Sequence, residues 1–208
     1  MNIQVDKSHY NFKSYVDTLH WNSYYYQITE TMSCRGDDVL LIGVGDGIVG
    51  DLISRLGKKV TTLDFDASLS PDIVGSVTDI DNLVDRKYDV VICCQVLEHQ
   101  PFEMFEQTLE KLSGCVREKL ILSLPCRAIM INVRFAMFRK LFVFRRFWQT
   151  TWDFNTDGNG EHYWEIDATR QYKRSVVTRI ILKHFRIDRS FVPQNYTYHM
   201  FYICSAPA

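Results

Sequence analysis

The sequence predicts an α/β fold: a doubly wound, seven-stranded, mostly parallel sheet with an antiparallel edge strand and a helical lid insertion. Three observations carry that reading. Val39-Leu40-Leu41-Ile42 is an unbroken apolar run that opens into Gly43-Val44-Gly45-Asp46-Gly47, and such a run suits a central parallel strand covered on both faces. A segment of helical spacing, 48–56, then leads through Gly57 to the β-rich run Lys59–Asp64, which makes a right-handed βαβ unit. Two more apolar runs, Lys87–Cys94 and Glu118–Pro125, flank a further helix-length segment.

The 208 residues suit one domain with an insertion rather than two domains. A formal net charge of -1 supplies no global field to attract nucleic acid. Six cysteines include no Cys-x-x-Cys pair and Met1–Asp6 form no apolar signal core, so a reducing cytoplasm and no metal are expected. The most apolar window, Ile129–Phe144, is interrupted by Arg134, Arg139 and Lys140, which argues against a transmembrane span.

Residues 8–33 carry many aromatics and neither glycine nor proline, predicting one or two helices that cover the domain. Glycines at 43, 45 and 47 fit a turn at which the backbone approaches a ligand closely. Ile48, Val49, Leu52, Ile53 and Leu56 give the following helix one apolar face, its amino end aimed at that turn. Asp64, with Phe65 beside it, ends the second strand about 20 residues beyond the turn, where a carboxylate accepts hydrogen bonds from ribose hydroxyls; Asp66 is a weaker second. Asp79, after a short third strand, either caps a helix or meets an adenine amino group. The fourth strand runs into Gln95-Val96-Leu97-Glu98-His99, a helix is expected from Phe102 to about Leu112, and Pro125 stops the fifth strand. Ala168 to about His184 reads as an amphipathic helix, with 185–192 and 198–204 as a closing strand pair.

The glycine turn, Asp64 and Tyr88–His99 together resemble the class I S-adenosylmethionine-dependent methyltransferases of the small-molecule type. The likeness covers roughly 37–125, with 169–204 fitting the last helix and strand pair, and Val96-Leu97-Glu98-His99 is its more specific part. It implies a Rossmann-like domain that binds S-adenosylmethionine through Gly43, Val44, Gly45, Asp46, Gly47, Asp64, Phe65, Asp79 and Gln95. Three departures stand out. Leu41 replaces an acid that usually reaches the methionine part of the cofactor, Asp46 a small or hydroxylated residue, and Gln95 an acid common after the fourth strand. A dinucleotide, NAD-type reading of Gly45, Gly47 and Gly50 starts two residues too late after the strand and leaves the fourth-strand motif unexplained.

The domain thus divides into a helical cover (8–33), a cofactor-binding core (37–125), a lid and substrate insertion (126–167) and a closing helix and strand pair (168–208). From Arg127 through Thr150 the insertion has six cations and no acid, interleaved with Phe135, Phe138, Phe142, Phe144, Phe147 and Trp148. Read as a helix, 127–148 offers peripheral membrane contact, a clamp for a phosphate-bearing substrate, or a solvated lid face. After the polar loop Asp153–Gly160, His162-Tyr163-Trp164-Glu165 suits a substrate wall. His162 is the first choice for a base acting on an acceptor, His99 the second, and Glu165 orients His162 or accepts a substrate hydroxyl. The expected activity is methyl transfer to a small molecule, such as a sugar or lipid-linked acceptor. The alternative is a non-catalytic binding protein that uses the basic aromatic segment for a membrane or protein partner.

Overall fold

The computed structural model describes residues 16–127, 129–137, 140–148, 162–193 and 196–206. Helix α1 (Thr18–Met32) precedes strand β1 (Asp38–Ile42), α2 (Ile48–Arg55) and β2 (Lys59–Asp64). Then come β3 (Ile73–Val74), the single turn α3 (Ile80–Leu83), β4 (Tyr88–Cys94), α4 (Phe105–Cys115) and β5 (Val116–Pro125). Strands β6 (Ile129–Met137) and β7 (Lys140–Trp148) follow, and α5 (Arg174–His184), β8 (Arg186–Phe191) and β9 (His199–Ser205) close the chain.

The main sheet has seven strands in the order β3-β2-β1-β4-β5-β9-β8. Neighbours from β3 through β5 are parallel, and β9 runs antiparallel to both β5 and the edge strand β8. The reversed strand therefore sits one place in from the edge. The chain turns one way from β1 to β2 and the other way to β4, which makes the β1/β4 boundary the point where ligands of open α/β sheets bind, outside the carboxyl ends of the strands.

Successive residues of the central strands feed two cores, as a sheet covered on both faces requires. In β1, Leu40 and Ile42 join the cluster with Phe105, Leu109 and Leu112 of α4, while Val39 and Leu41 join the opposite cluster with Val49 and Ile53 of α2 and Tyr24 of α1. β9 divides in the same way, with Tyr202 on the α4 side and Phe201 on the α1 side. The unbroken apolar character of these runs follows directly, because no position on them faces water.

The insertion corrects the helical lid expected from the sequence. β6 and β7 pair antiparallel over nine residues each, from Ile129 opposite Trp148 to Met137 opposite Lys140. The physical reason is readable afterwards: Ile129, Ile131, Val133 and Phe135 recur at every second position, and the second arm is rich in Phe and Val, residues that favour strands. Plotted on a helical wheel, a period of two spreads the apolar residues into two broad stripes separated by cations, which invites the helical reading.

Two helix boundaries also move. The segment after β4 begins as a 3-10 turn, Phe102–Met104, before α4 starts at Phe105. Helix α5 begins at Arg174 rather than near Ala168, because Asp167, itself at φ +63°, accepts the Arg174 N–H through Oδ1 at 2.9 Å and stabilises a turn ahead of it. The helical cover is α1, whose first turn is capped by Asp17 Oδ1 accepting from the Leu19 and His20 N–H groups. Its expected start at residue 8, and the loop Asp153–Gly160, lie outside the described residues. No described helix is long and apolar enough to cross a membrane.

Candidate functional site

The cofactor end of the site is built mainly from backbone. Gly43, Gly45 and Gly47 have φ of +84°, +56° and +79°, the region that favours glycine, and a Cβ at Gly43 would lie 2.7 Å from Val96 Cγ2. This turn carries the chain across the end of β1. The Gly43 N–H donates to the Leu63 carbonyl at 2.9 Å, and the Val44 N–H donates to Asp64 Oδ2 at 2.7 Å. Asp64 Oδ1 accepts the Asp66 N–H at 2.9 Å. The carboxylate is thereby held at the end of β2 by one backbone donor per oxygen, and each oxygen keeps the capacity to accept from a ligand hydroxyl.

A cleft opens here, floored by Gly43 and Gly45 and walled by Asp64, Phe65 and Asp66 on one side and Gln95 and His99 on the other. Gln95 stands at φ +56°, a strained conformation for a non-glycine residue, typically worth about 1–3 kcal/mol. Ser123 of β5 holds it there, accepting the Gln95 N–H at its carbonyl (3.0 Å) and the side-chain amide at Oγ (3.2 Å).

Val44, Asp46, Gly47 and Asp79, also expected at the cofactor, have structural partners around the cleft. Val44 lends its N–H to Asp64, and Gly47 is the N-cap residue of α2. Asp46 accepts the Ile48 N–H at 3.1 Å and the Tyr24 hydroxyl at 2.7 Å, so its carboxylate starts α2 and ties α1 to the loop. Asp79 sits where a 3-10 turn meets α3; the cleft wall there is Gly75, Ser76 and Val77. Leu41 is buried among Val39, Val49 and Ile53, under α2. Sequence reading passed over Ser76, which caps its own turn by accepting the Thr78 N–H at 3.3 Å; the Gly-Ser before a helix start was the available signal.

Behind His99 of the cleft, side chains from four distant segments cluster. Trp164 is the anchor that brings them together: its ring packs against Phe102, Phe105 and Tyr172, and its indole N–H donates to the Gln100 carbonyl at 3.1 Å. Burying such a side chain stabilises by about 2–3 kcal/mol. Backbone hydrogen bonds fix the rest of the segment, from the Tyr163 N–H to the Glu98 carbonyl and from the Ile166 N–H to the Pro125 carbonyl, both 2.9 Å.

His162 consequently lies against His99, with ring centroids 4.9 Å apart and planes at 71°. Glu165 lies beside His162, the residue it was expected to orient. His162 Nδ1 is 3.2 Å from Glu165 Oε1, Tyr198 donates its hydroxyl to the same oxygen at 2.9 Å, and Arg127 Nε donates to Oε2 at 2.7 Å. Burial alone would raise the Glu165 carboxyl, but the hydrogen bonds from His162, Arg127 and Tyr198 hold it down at about 2. Burial and the Glu165 charge push the Tyr198 phenol up. Beneath them Glu98 is fully buried, and burial pushes its carboxyl up to about 8, with the neighbouring His162 pulling the other way.

The fold, the cleft at the β1/β4 switch point and the acid at the end of β2 define an α/β domain built to hold a nucleoside-containing cofactor. Residues 40–122 match the family model described as a methyltransferase domain. Over 115 residues the chain is 32% identical to the mitochondrial ubiquinone biosynthesis O-methyltransferase of Schizosaccharomyces pombe; the match covers 47% of this chain and 41% of that relative, so the chain spans about two fifths of its length. Among solved structures, the magnesium protoporphyrin IX methyltransferase of Synechocystis PCC 6803 with bound S-adenosylhomocysteine aligns with a TM-score of 0.62 and 16% identity, covering 100% of this chain and 90% of that one. A glycopeptide N-methyltransferase complexed with S-adenosylhomocysteine aligns at 0.60 and 13% identity, covering 93% and 91%. Residues 40–122 are therefore similar to methyltransferase domains, and the solved structures share the fold.

Proposed function

We propose that this chain is an S-adenosylmethionine-dependent methyltransferase that modifies a small-molecule acceptor. The observation that carries the reading is the Asp64 carboxylate, locked by the Val44 and Asp66 N–H groups at the rim of a cleft floored by Gly43 and Gly45. That arrangement suits a ribose diol above a glycine floor with no phosphate to cradle. The O-methyltransferase relative supports an oxygen acceptor, and the sugar and lipid-linked classes expected from the sequence belong to the same group of hydroxyl-bearing molecules.

When bound, the cofactor supplies the electrophilic methyl group, and transfer from a sulfonium is an in-line displacement. The protein's task is to align the acceptor oxygen, exclude water and take up the acceptor proton. His99 belongs to the cleft and contacts His162, which supports a proton-accepting role for this pair. Glu165 orients the His162 ring, and Arg127 and Tyr198 orient Glu165.

Titration calorimetry with S-adenosylhomocysteine tests the cofactor reading: micromolar binding is expected, and binding of NAD in its place would overturn it. Transfer of labelled methyl to a panel of phenols, sugars and lipid-linked alcohols tests the activity. Cofactor binding without transfer to any acceptor would favour the non-catalytic alternative, which Leu41 and Gln95 motivate.

A further inference from the structure

Glu98 is the one buried carboxylate among the described residues with neither oxygen hydrogen-bonded. A carboxyl taken out of water without partners is costly, and a site that keeps one needs either a proton or a cation on it. Two imidazoles stand beside it. Glu98, His99 and His162 each present a ligand atom, and these atoms all lie within 4.8 Å of one another. Glu98 and His99 come from the turn after β4 and His162 from the segment anchored by Trp164, so only the folded chain assembles the trio.

We infer that Glu98, His99 and His162 form a binding site for a divalent transition-metal ion of the zinc class, at the acceptor end of the cleft. The inference replaces the expectation of no metal, which rested on the absence of Cys-x-x-Cys pairs. It also deepens the proposed methyl transfer and rests on that reading for its catalytic meaning. One carboxylate and two imidazoles are the donors such ions take, and three protein ligands leave a fourth position for water or substrate. Bond lengths of about 2.0–2.2 Å place tetrahedral donors roughly 3.4 Å apart, so the trio contracts by about an ångström on binding, within reach of side-chain rotation.

The surroundings of His162 match what a metal-bound imidazole requires. Its Nδ1 faces Glu165 Oε1 at 3.2 Å, and Arg127 and Tyr198 fix that carboxylate in turn. An imidazole that gives its Nδ1 proton to a carboxylate carries its lone pair on Nε2, and such a pairing orients the ring and raises its basicity toward a metal. An acceptor hydroxyl on the open position would ionise more easily because the ion lowers the pKa of a bound oxygen acid. The hydroxyl proton passes to solvent, the alkoxide or phenoxide lone pair forms the new bond to the methyl carbon, and the carbon–sulfur bond breaks to leave a neutral thioether. In that state His162 serves as a ligand rather than as the base.

Cobalt(II) and zinc titrations of the chelator-treated full chain test the inference. One equivalent of cobalt is expected to produce the visible absorption of a low-coordinate site. Zinc should bind at about one equivalent and displace the cobalt. Glu98→Gln and His162→Asn should each weaken zinc binding more than about tenfold while leaving S-adenosylhomocysteine affinity unchanged. No metal binding in a chain that still binds S-adenosylhomocysteine would overturn the metal site and spare the methyltransferase reading. Metal binding that neither substitution weakens would also overturn it, by placing the ion elsewhere. Should Glu98→Gln fail to fold, His162→Asn decides. Loss of S-adenosylhomocysteine binding in the wild-type chain would count against the methyltransferase reading alone, since the metal is titrated separately.

Discussion

The two ends of the cleft are made in different ways. The cofactor end rests on a turn, a strand end and backbone N–H groups drawn from residues 43–66, so neighbouring stretches of one βαβ unit make its floor and one wall. The acceptor end consists of side chains from residue 98 to residue 198, joined by hydrogen bonds that span more than thirty positions of sequence. Backbone geometry at the first end is unforgiving of any added atom. Side-chain networks at the second can be altered one group at a time without dismantling the domain.

The largest effect expected from this contrast is at the cofactor end. Gly43→Val forces a β-branched residue into φ +84° with its Cβ 2.7 Å from Val96, so S-adenosylhomocysteine binding should disappear in calorimetry and stability should drop by about 2–4 kcal/mol in chemical denaturation. Normal binding by that variant would show the loop to be more plastic than its hydrogen bonds suggest. At the other end, Glu165→Gln keeps the shape but removes the charge that orients His162. Turnover should fall by about 10²-fold with cofactor affinity nearly unchanged, and equal losses in both would erase the distinction between the two ends.

A third expectation concerns pH. His199 is buried beside Tyr196 and Tyr198, with its Nδ1 3.0 Å from Ser23 Oγ, and burial holds its pKa down at about 3 against an ordinary 6.5, with His20 and His162 adding to the depression. The unfolded chain therefore binds a proton below about pH 6.5 that the folded chain refuses until about pH 3. The stability owed to neutral His199 is complete above pH 6.5 and is lost as pH falls, by up to about 1.4 kcal/mol per pH unit. Urea denaturation at stepped pH should reveal this slope, and His199→Gln should flatten it.

The smallest effect is expected at the join between α1 and the loop. Tyr24→Phe removes a single hydrogen bond to Asp46, costing about 1 kcal/mol in stability and a few-fold in S-adenosylhomocysteine affinity. A much larger loss of affinity would mean that α1 forms part of the binding surface.

The same division explains what could be read without coordinates. Runs such as Val39–Ile42 and Tyr88–Cys94 are apolar throughout because both faces of their strands are covered, so composition alone identified them. The glycine turn and Asp64 were legible because their partners lie a few residues away. Asp46 was harder, since the acid occupied by Ile48 and Tyr24 has the same letter as one facing a ligand. The hairpin of β6 and β7 was missed because its period-two pattern is overlaid with cations and aromatics, which a helical plot spreads into false stripes.

The sequence by itself determined the doubly wound sheet, the cofactor turn and the acid at the end of β2, because local periodicity and short-range hydrogen bonds specify them. Tertiary structure alone decided that Glu98 and His99 meet His162, that Tyr198 and Arg127 meet Glu165, and that β9 lies between β5 and the edge strand β8, antiparallel to both. Those relations depend on where Trp164 buries its ring and on which strand β5 accepts as its neighbour. Both are set by packing between segments that no local pattern connects.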